Sequence, residues 1–432
     1  MTQPPNKIDA TSIFPSDPDQ MDDDQAFACW VVQRLRDAGH VALLAGGCVR
    51  DLLLGNTPKD YDVATSAHPK QVQRLFRRTI AVGVSFGVIR VLGRDNRIVE
   101  VATFRADLGY SDGRHPDGVR FTDPREDALR RDFTINGMFL DPLSNEVHDF
   151  VGGVDDLRAG VIRAIGDAPT RFEEDKLRLL RAVRFAARFS FNVEEATARA
   201  VRAMAGQLNV VSPERILAEL RLLLTARSRR QGAGMLRDLC LWDHALPELG
   251  AVATDEGRWE TTCRLLDHWH ESISLPLCLA ALSATMPQVD ARKLVEPFFE
   301  RLHGPNDERD RTAWLTTHRD GFDNARGERP ARLKRLMAHV GGEELLELAE
   351  ARAEAGLADD VEITHARRLR DRWTDEEVDP APLLKGHDLI KAGIQPGPRM
   401  GELLERIRDE QLDGTIGTRD EALAYLKTIK AD

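Results

Sequence analysis

A glycine pair set between two apolar runs constrains this chain more than any other feature. Val41 to Ala45 reads as a short strand, Gly46 and Gly47 follow at once, and Cys48 to Leu54 reads as a short helix. A Gly-Gly turn lets the backbone bend tightly and bring its N–H groups close to a ligand. The helix that follows aims its positive N-terminal end at the same point, so Gly46 and Gly47 suit a triphosphate, and Arg50 can add a forked, charge-assisted contact.

A short distance on, "KDYDVAT" from Lys59 has the alternation of a strand, which puts Asp60 and Asp62 on one face and Tyr61 and Val63 on the other. Two carboxylates on one face can hold magnesium, a hard cation that shares its oxygen ligands with substrate phosphates. Two such ions roughly 4 Å apart can activate an attacking hydroxyl and steady a leaving pyrophosphate. A third carboxylate, Glu100 in "RIVEVATFR", interrupts an apolar strand pattern and is a candidate to join them. Each feature also has a plain structural explanation, a turn or a solvated strand edge, and their closeness in sequence favours chemistry.

Three further strings follow in order: "LRRDFTINGMFLDP" from Leu129, "HDFVGGVDDL" from His148 and "RFEEDKLRLLRAVRFAARF" from Arg171. With "GGCVRD" and "DYD" they resemble the class II tRNA nucleotidyltransferase and bacterial poly(A) polymerase family, and "SPERILAEL" from Ser212 is similar to its last helical motif. The resemblance implies a template-independent polymerase head that uses magnesium to add nucleotides from CTP or ATP to an RNA 3′ hydroxyl, with the tRNA 3′ end as partner. Carried over by position, it implies nucleotide contacts from Gly47 and Arg50, metal binding by Asp60 and Asp62, and sugar and triphosphate contacts from Arg131 and Asp132. It places Asp175, Arg178, Arg181 and Arg184 on a base-reading and phosphate-contacting face.

Helix geometry gives an independent reason to group that last set. At about 100° per residue, Glu174, Asp175, Arg181, Arg184 and Arg188 fall within about 120° of Arg178, while Leu179, Leu180, Val183, Ala186 and Ala187 form a separate apolar stripe. A carboxylate accepts from an exocyclic amino group and a guanidinium donates to a ring nitrogen or carbonyl, so Asp175 and Arg178 match the Watson–Crick edges of cytosine and adenine. Uracil and guanine would leave the pair mismatched, at a discrimination on the order of 10⁴ or more where water is excluded.

The 432 residues allow about three domains, and a net charge of −11 argues against a surface coated with nucleic acid, so RNA contacts should be local, as in Arg178 to Arg188 and Arg221 to Arg230. Five cysteines show neither zinc spacing nor a disulfide framework, which suits reduced thiols in cytosol, and no signal-peptide pattern opens the chain. The fold expected is α+β, a small mixed-sheet nucleotidyltransferase head followed by an all-helical neck, body and tail. A disordered leader is expected at 1–24, the head at 25–166, a neck with the base-reading helix at 167–225, a body at 226–375 and a tail at 376–432, with helix breaks at Ser212-Pro213, Gly304-Pro305 and Pro380 to Pro382. The polar stretch from Arg105 to Asp127 is expected to be a mobile loop; in the family it resembles, such a loop helps adjust the enzyme for ATP addition.

Relatives can carry a phosphohydrolase His-Asp pair in the body, but here the corresponding place reads "CLAALSAT". His268 and His270 are two apart and face different ways on a helix, so they make a poor metal pair, and His387-Asp388 belongs to a tail motif. The motifs lead to CCA addition to tRNA, with an A-adding or poly(A)-adding enzyme as the competing activity and an RNA binder with a decayed head as the competing class. Intact Asp60, Asp62, Arg131, Asp175 and Arg178 speak against the decayed head.

Overall fold

The computed structural model describes residues 6–9, 14, 21–83, 87–109, 118–287 and 291–429. The chain divides into two compact units, one of residues 1–223 and 231–245 and the other of residues 224–230 and 246–432. The expected head and nearly all of the expected neck fall in the first.

An eight-stranded mixed sheet organises the first unit. From one edge to the other its strands are Asn6–Asp9, Glu146–Asp149, Met138–Asp141, Ala42–Ala45, Asp62–Thr65, Ile98–Thr103, Val88–Leu92 and Thr79–Gly83. Every pairing is antiparallel except one: Asp62–Thr65 runs parallel to Ile98–Thr103. Along Ile98–Thr103, Val99 and Val101 are buried while Ile98 is exposed and Glu100 half-buried, so apolar side chains go to one face and the carboxylate to the other. Helices Asp23–Asp37 and Pro69–Leu75 pack on the sheet, with Val31, Val32, Leu35 and Val72 fully covered. Residues 6–9, expected within a disordered leader, instead form an edge strand paired in register with Glu146–Asp149.

The glycine pair does what its spacing demands. Gly46 adopts a left-handed φ of 73°, open to glycine at little cost, and Gly47 starts helix Gly47–Leu53. The "HDFVGGVDDL" string is scaffold. Buried Asp149 accepts the N–H groups of Val151, Gly152, Gly153 and Val154 at 2.9–3.1 Å, a negative charge at the start of helix Gly153–Ala159. Gly153 cannot be larger, because a Cβ there would lie 2.2 Å from the Thr134 carbonyl oxygen.

Two expectations change. The stretch 105–127, expected to be a mobile loop, contributes a strand pair, Arg105–Leu108 with Gly118–Phe121, and helix Pro124–Leu129; its middle, 110–117, lies outside the described residues. The single helix drawn from Glu174 to Arg188 is two. Helix Ala168–Glu174 ends at Asp175, whose backbone is extended (φ −151°, ψ 105°), and a new helix, Arg178–Phe189, follows. The apolar stripe holds within the second helix, where Leu179, Leu180, Val183, Ala186 and Ala187 are at most 1% exposed.

In its described residues the second unit is helical throughout. Helix Leu275–Ser283 is buried along its whole length, which leaves no room there for a polar His-Asp pair. The tail packs around Leu389, Leu403, Ile407, Ala422 and Leu426. There Asp388 caps its own helix by accepting the Lys385 N–H at 2.9 Å and pairs with Arg419. His268 Nδ1 is spent on a hydrogen-bond contact with Glu354 at 2.8 Å.

Candidate active site

Asp62 opens its strand, and the parallel register sets Glu100 directly across from it. Asp60 falls in the bend before the strand rather than in it, so strand alternation does not align it with Asp62; both side chains are exposed. Water reaches the Asp62 carboxylate, but the cleft walls strip away much of its hydration. That desolvation, with Glu100 and Asp60 adding negative charge and Arg131 partly offsetting them, pushes its pKa up to about 6. Glu100 is held from the other side by Arg90, whose Nε donates at 2.8 Å.

A pocket of about 470 Å³ opens beside Asp62, with Gly46, Gly47, Arg131, Asp132, Asp175, Arg178 and Arg181 along its wall. Arg50 also lines it but is 4% exposed and already engaged: Nη1 donates to Asn136 Oδ1 at 2.6 Å, and Nε and Nη2 to Asp51 Oδ1. Its guanidinium lies 4.6 Å from the Phe189 ring centroid, so it braces the turn as much as it offers charge. Burial lowers its pKa, partly offset by Asp51.

Arg131 reaches from the end of helix Pro124–Leu129, donating to buried Asp127 at 2.9 Å and to the Asn136 carbonyl at 3.3 Å. Burial alone would raise the Asp132 carboxyl; Arg181, donating at 2.9 and 2.5 Å, with Asn136 and the Phe133 N–H, holds it at about 2. Asp132 is thus held as an anion and in turn fixes the Arg181 guanidinium.

The break between the two helices presents Asp175 and Arg178 to the pocket. Asp175 Oδ1 accepts the Leu177 N–H at 3.1 Å and Oδ2 accepts Arg215 Nη2 at 2.7 Å. Arg178 donates to Glu174 at 2.6 Å, to the Arg171 carbonyl at 2.7 Å and to the Arg130 carbonyl at 3.3 Å. Glu174 therefore supports Arg178 instead of facing the pocket.

Among the expected site residues, Asp60, Glu100, Glu174 and Arg184 do not line the pocket. Arg184 is buried in an ion pair with Glu219, its Nε at 2.5 Å. Arg130, Asn136, Leu177, Phe185 and Arg215 line it without having been singled out. Asn136 and Arg215 stand inside strings already recognised, "DFTINGMF" and "SPERILAEL", so their presence was visible but not their direction.

Three stretches of the chain match known domain families. Residues 42–163 match the poly A polymerase head domain, 190–252 the probable RNA and SrmB-binding site of polymerase A, and 327–426 a putative domain 2 of tRNA nucleotidyltransferase. A CCA-adding enzyme of Levilactobacillus brevis is 32% identical over 92% of this chain and 96% of its own. Poly(A) polymerase I of Salmonella typhi is 40% identical, over 52% of this chain and 51% of its own. The crystal structure of the Bacillus stearothermophilus CCA-adding enzyme in complex with CTP superposes with a TM-score of 0.78 at 27% identity, covering 95% of this chain and 98% of that one. The chain belongs to the class II family of CCA-adding enzymes and bacterial poly(A) polymerases, and it is a nucleotidyltransferase.

Proposed function

We propose that the protein completes tRNA 3′ ends, adding C and A nucleotides from CTP and ATP without a template by two-metal nucleotidyl transfer. One observation carries this reading: a single pocket joins the glycine turn and Asp62 to Asp175 and Arg178. The full-length likeness to a CCA-adding enzyme supports tRNA as the acceptor.

Asp60 and Asp62 would hold Mg²⁺. The fit rests on their hard oxygen donors and on the crowding of negative charge at Asp62 that a cation would relieve. Among the described residues no three His, Cys, Asp or Glu side chains form a cage, and Mg²⁺ bound with substrate phosphates needs only one or two carboxylates. When bound, the ion supplies Lewis-acid activation of the RNA 3′ hydroxyl and neutralises the triphosphate.

The rest is positioning, which phosphoryl transfer chiefly requires. The Gly46–Gly47 backbone and Arg131 would cradle the phosphates, Arg181, aimed by Asp132, would add charge near the leaving pyrophosphate, and Asp175 and Arg178 would read the base edge. Arg50, Glu174 and Arg184 would act from behind, by bracing. With both reading groups tied to protein partners, the wrong base finds them unable to turn and follow it.

The test supplies purified protein and magnesium with tRNA transcripts ending before CCA, after C and after CC, with CTP and ATP separately and together. Completion of all three to CCA and no further is expected. A single A added only to the CC-ended transcript would make it an A-adding enzyme. Long A tails on any RNA would establish the second reading, poly(A) addition, which the 40% identity to a poly(A) polymerase over half the chain favours.

A further inference from the structure

The sheet-bearing unit has a second cavity, of about 700 Å³, that shares no residue with the active site. Its floor is aromatic. Phe27 and Trp30, near the start of helix Asp23–Asp37, stack with ring centroids 5.8 Å apart, and Phe76 meets Trp30 edge-on at 5.6 Å. Trp30 is nonetheless 50% exposed. A three-ring cluster that leaves half its indole in water is poorly spent as core and well suited to stacking a ligand ring.

The rim is basic. Arg34, Arg77 and Arg94 are exposed, and their side chains make no ion pair or hydrogen bond among the described residues. Arg78 gives one bond to the Gly93 carbonyl. The one carboxylate in the lining, Asp23, is already paired with Arg97. Local positive charge of this density, on a chain of net charge −11, points to an anionic ligand.

The lining says which anion: an aromatic floor takes the face of a base, and separate guanidinium groups around it take the phosphates on either side. The cavity is closed at one side by the turn from Gly93 to Arg97, where Asp95 and Asn96 adopt left-handed φ values of 53° and 60°. Strand Ile98–Thr103 leaves this turn parallel to Asp62–Thr65, so the turn lies at the end of the sheet where Asp62 sits, while Val91 in the cavity lining is in register with Val99, which sets the cavity on the apolar face, opposite the one that carries Asp62 and Glu100.

We propose that this cavity binds a single-stranded segment of RNA, with one base stacked on Trp30 and the flanking phosphates on Arg34, Arg77 and Arg94. Aromatic faces tolerate any base and guanidinium groups track the backbone, so the contact carries affinity without sequence choice. It holds whichever nucleotides the active site adds.

Binding of a fluorescent ten-nucleotide single-stranded RNA of mixed sequence, followed by anisotropy in EDTA, tests it without reference to turnover. Trp30→Ala should weaken binding about tenfold, with Trp30→Phe restoring most of it. The triple variant Arg34→Ala/Arg77→Ala/Arg94→Ala should weaken binding and reduce the slope of log affinity against log salt by about 2. Because the arginines are exposed, the triple variant decides the matter should Trp30→Ala fail to fold. Unchanged affinity and slope in the triple variant would overturn the proposal. So would full displacement of the RNA from this cavity by ATP alone, which would make it a mononucleotide site, or by polyglutamate at equal charge, which would make it an acidic-peptide site.

Discussion

Glu100 lies in register with Asp62 across the one parallel strand pair of the sheet among the described residues, and after desolvation its charge is what most lifts the Asp62 pKa to about 6. An unfolded aspartate titrates near 4, so between about 4 and 6 the folded protein holds a proton that the unfolded chain releases. Metal-free stability should therefore fall as pH rises through that window. Asp62→Asn removes the penalty: in EDTA it should melt above the parent at pH 7 and together with it near pH 4. Equal melting at both values would show that the carboxylates do not crowd one another.

Glu100→Gln leaves the strand pairing intact and removes one charge. If Glu100 helps hold cations at the site, the magnesium concentration for half-maximal turnover should rise about tenfold, whereas Asp60→Ala and Asp62→Ala should lower kcat by about 10³ or more at any magnesium level. A Glu100→Gln enzyme with an unaltered magnesium curve would reduce Glu100 to the partner of Arg90.

Asp132 is expected to behave oppositely to Asp62. Its pKa is depressed to about 2, so its contribution is complete above the unfolded value near 4 and is lost as pH falls toward 2. Asp132→Asn should cost on the order of 2 kcal/mol in urea unfolding at pH 7, and much less at pH 2.5.

Arg184 and Arg178 separate stability from reading. Arg184→Ala strands buried Glu219 with only the more distant Arg181, at 3.7 Å, and should destabilise by about 3 kcal/mol while the surviving folded enzyme keeps its nucleotide preference. Arg178→Ala should leave CTP and ATP poorly distinguished from UTP and GTP. Loss of preference in a folded Arg184→Ala enzyme would return Arg184 to the reading face.

Arg215→Ala tests the aim of Asp175. With its Oδ2 partner gone, the carboxylate can turn, so misincorporation of UTP should rise about tenfold or more, and Arg215→Lys should recover only part of the selectivity because a flexible ammonium does not fix direction as the planar guanidinium does.

Much of this site was legible because its backbone signals are local. A left-handed Gly46 before a helix and an apolar strand broken by Glu100 are written in a few adjacent residues. Directions set by distant partners were not. Nothing near Asp175 says that Arg215, forty positions on, will hold it, and nothing near Arg184 says that Glu219 will bury it. The helix drawn straight through Asp175 failed for a related reason: periodicity sees the stripe from Leu179 to Ala187, but the extended backbone at Asp175 carries no proline or glycine to mark the break. The edge strand at Asn6–Asp9 escaped notice because four polar-flanked residues become a strand only through their partner, Glu146–Asp149.

That break has an evolutionary side. Had Asp175 and Arg178 shared one helix, altering the angle between them would have meant re-registering its whole buried stripe. Seated on a joint, the acid is set by Arg215 and the base by Glu174, each through an exchangeable side chain. If Asp175 and Arg178 read the base as proposed, nucleotide preference would drift by single substitutions at these supports while the carboxylates stay untouched, and one head could be refitted for different tailing tasks.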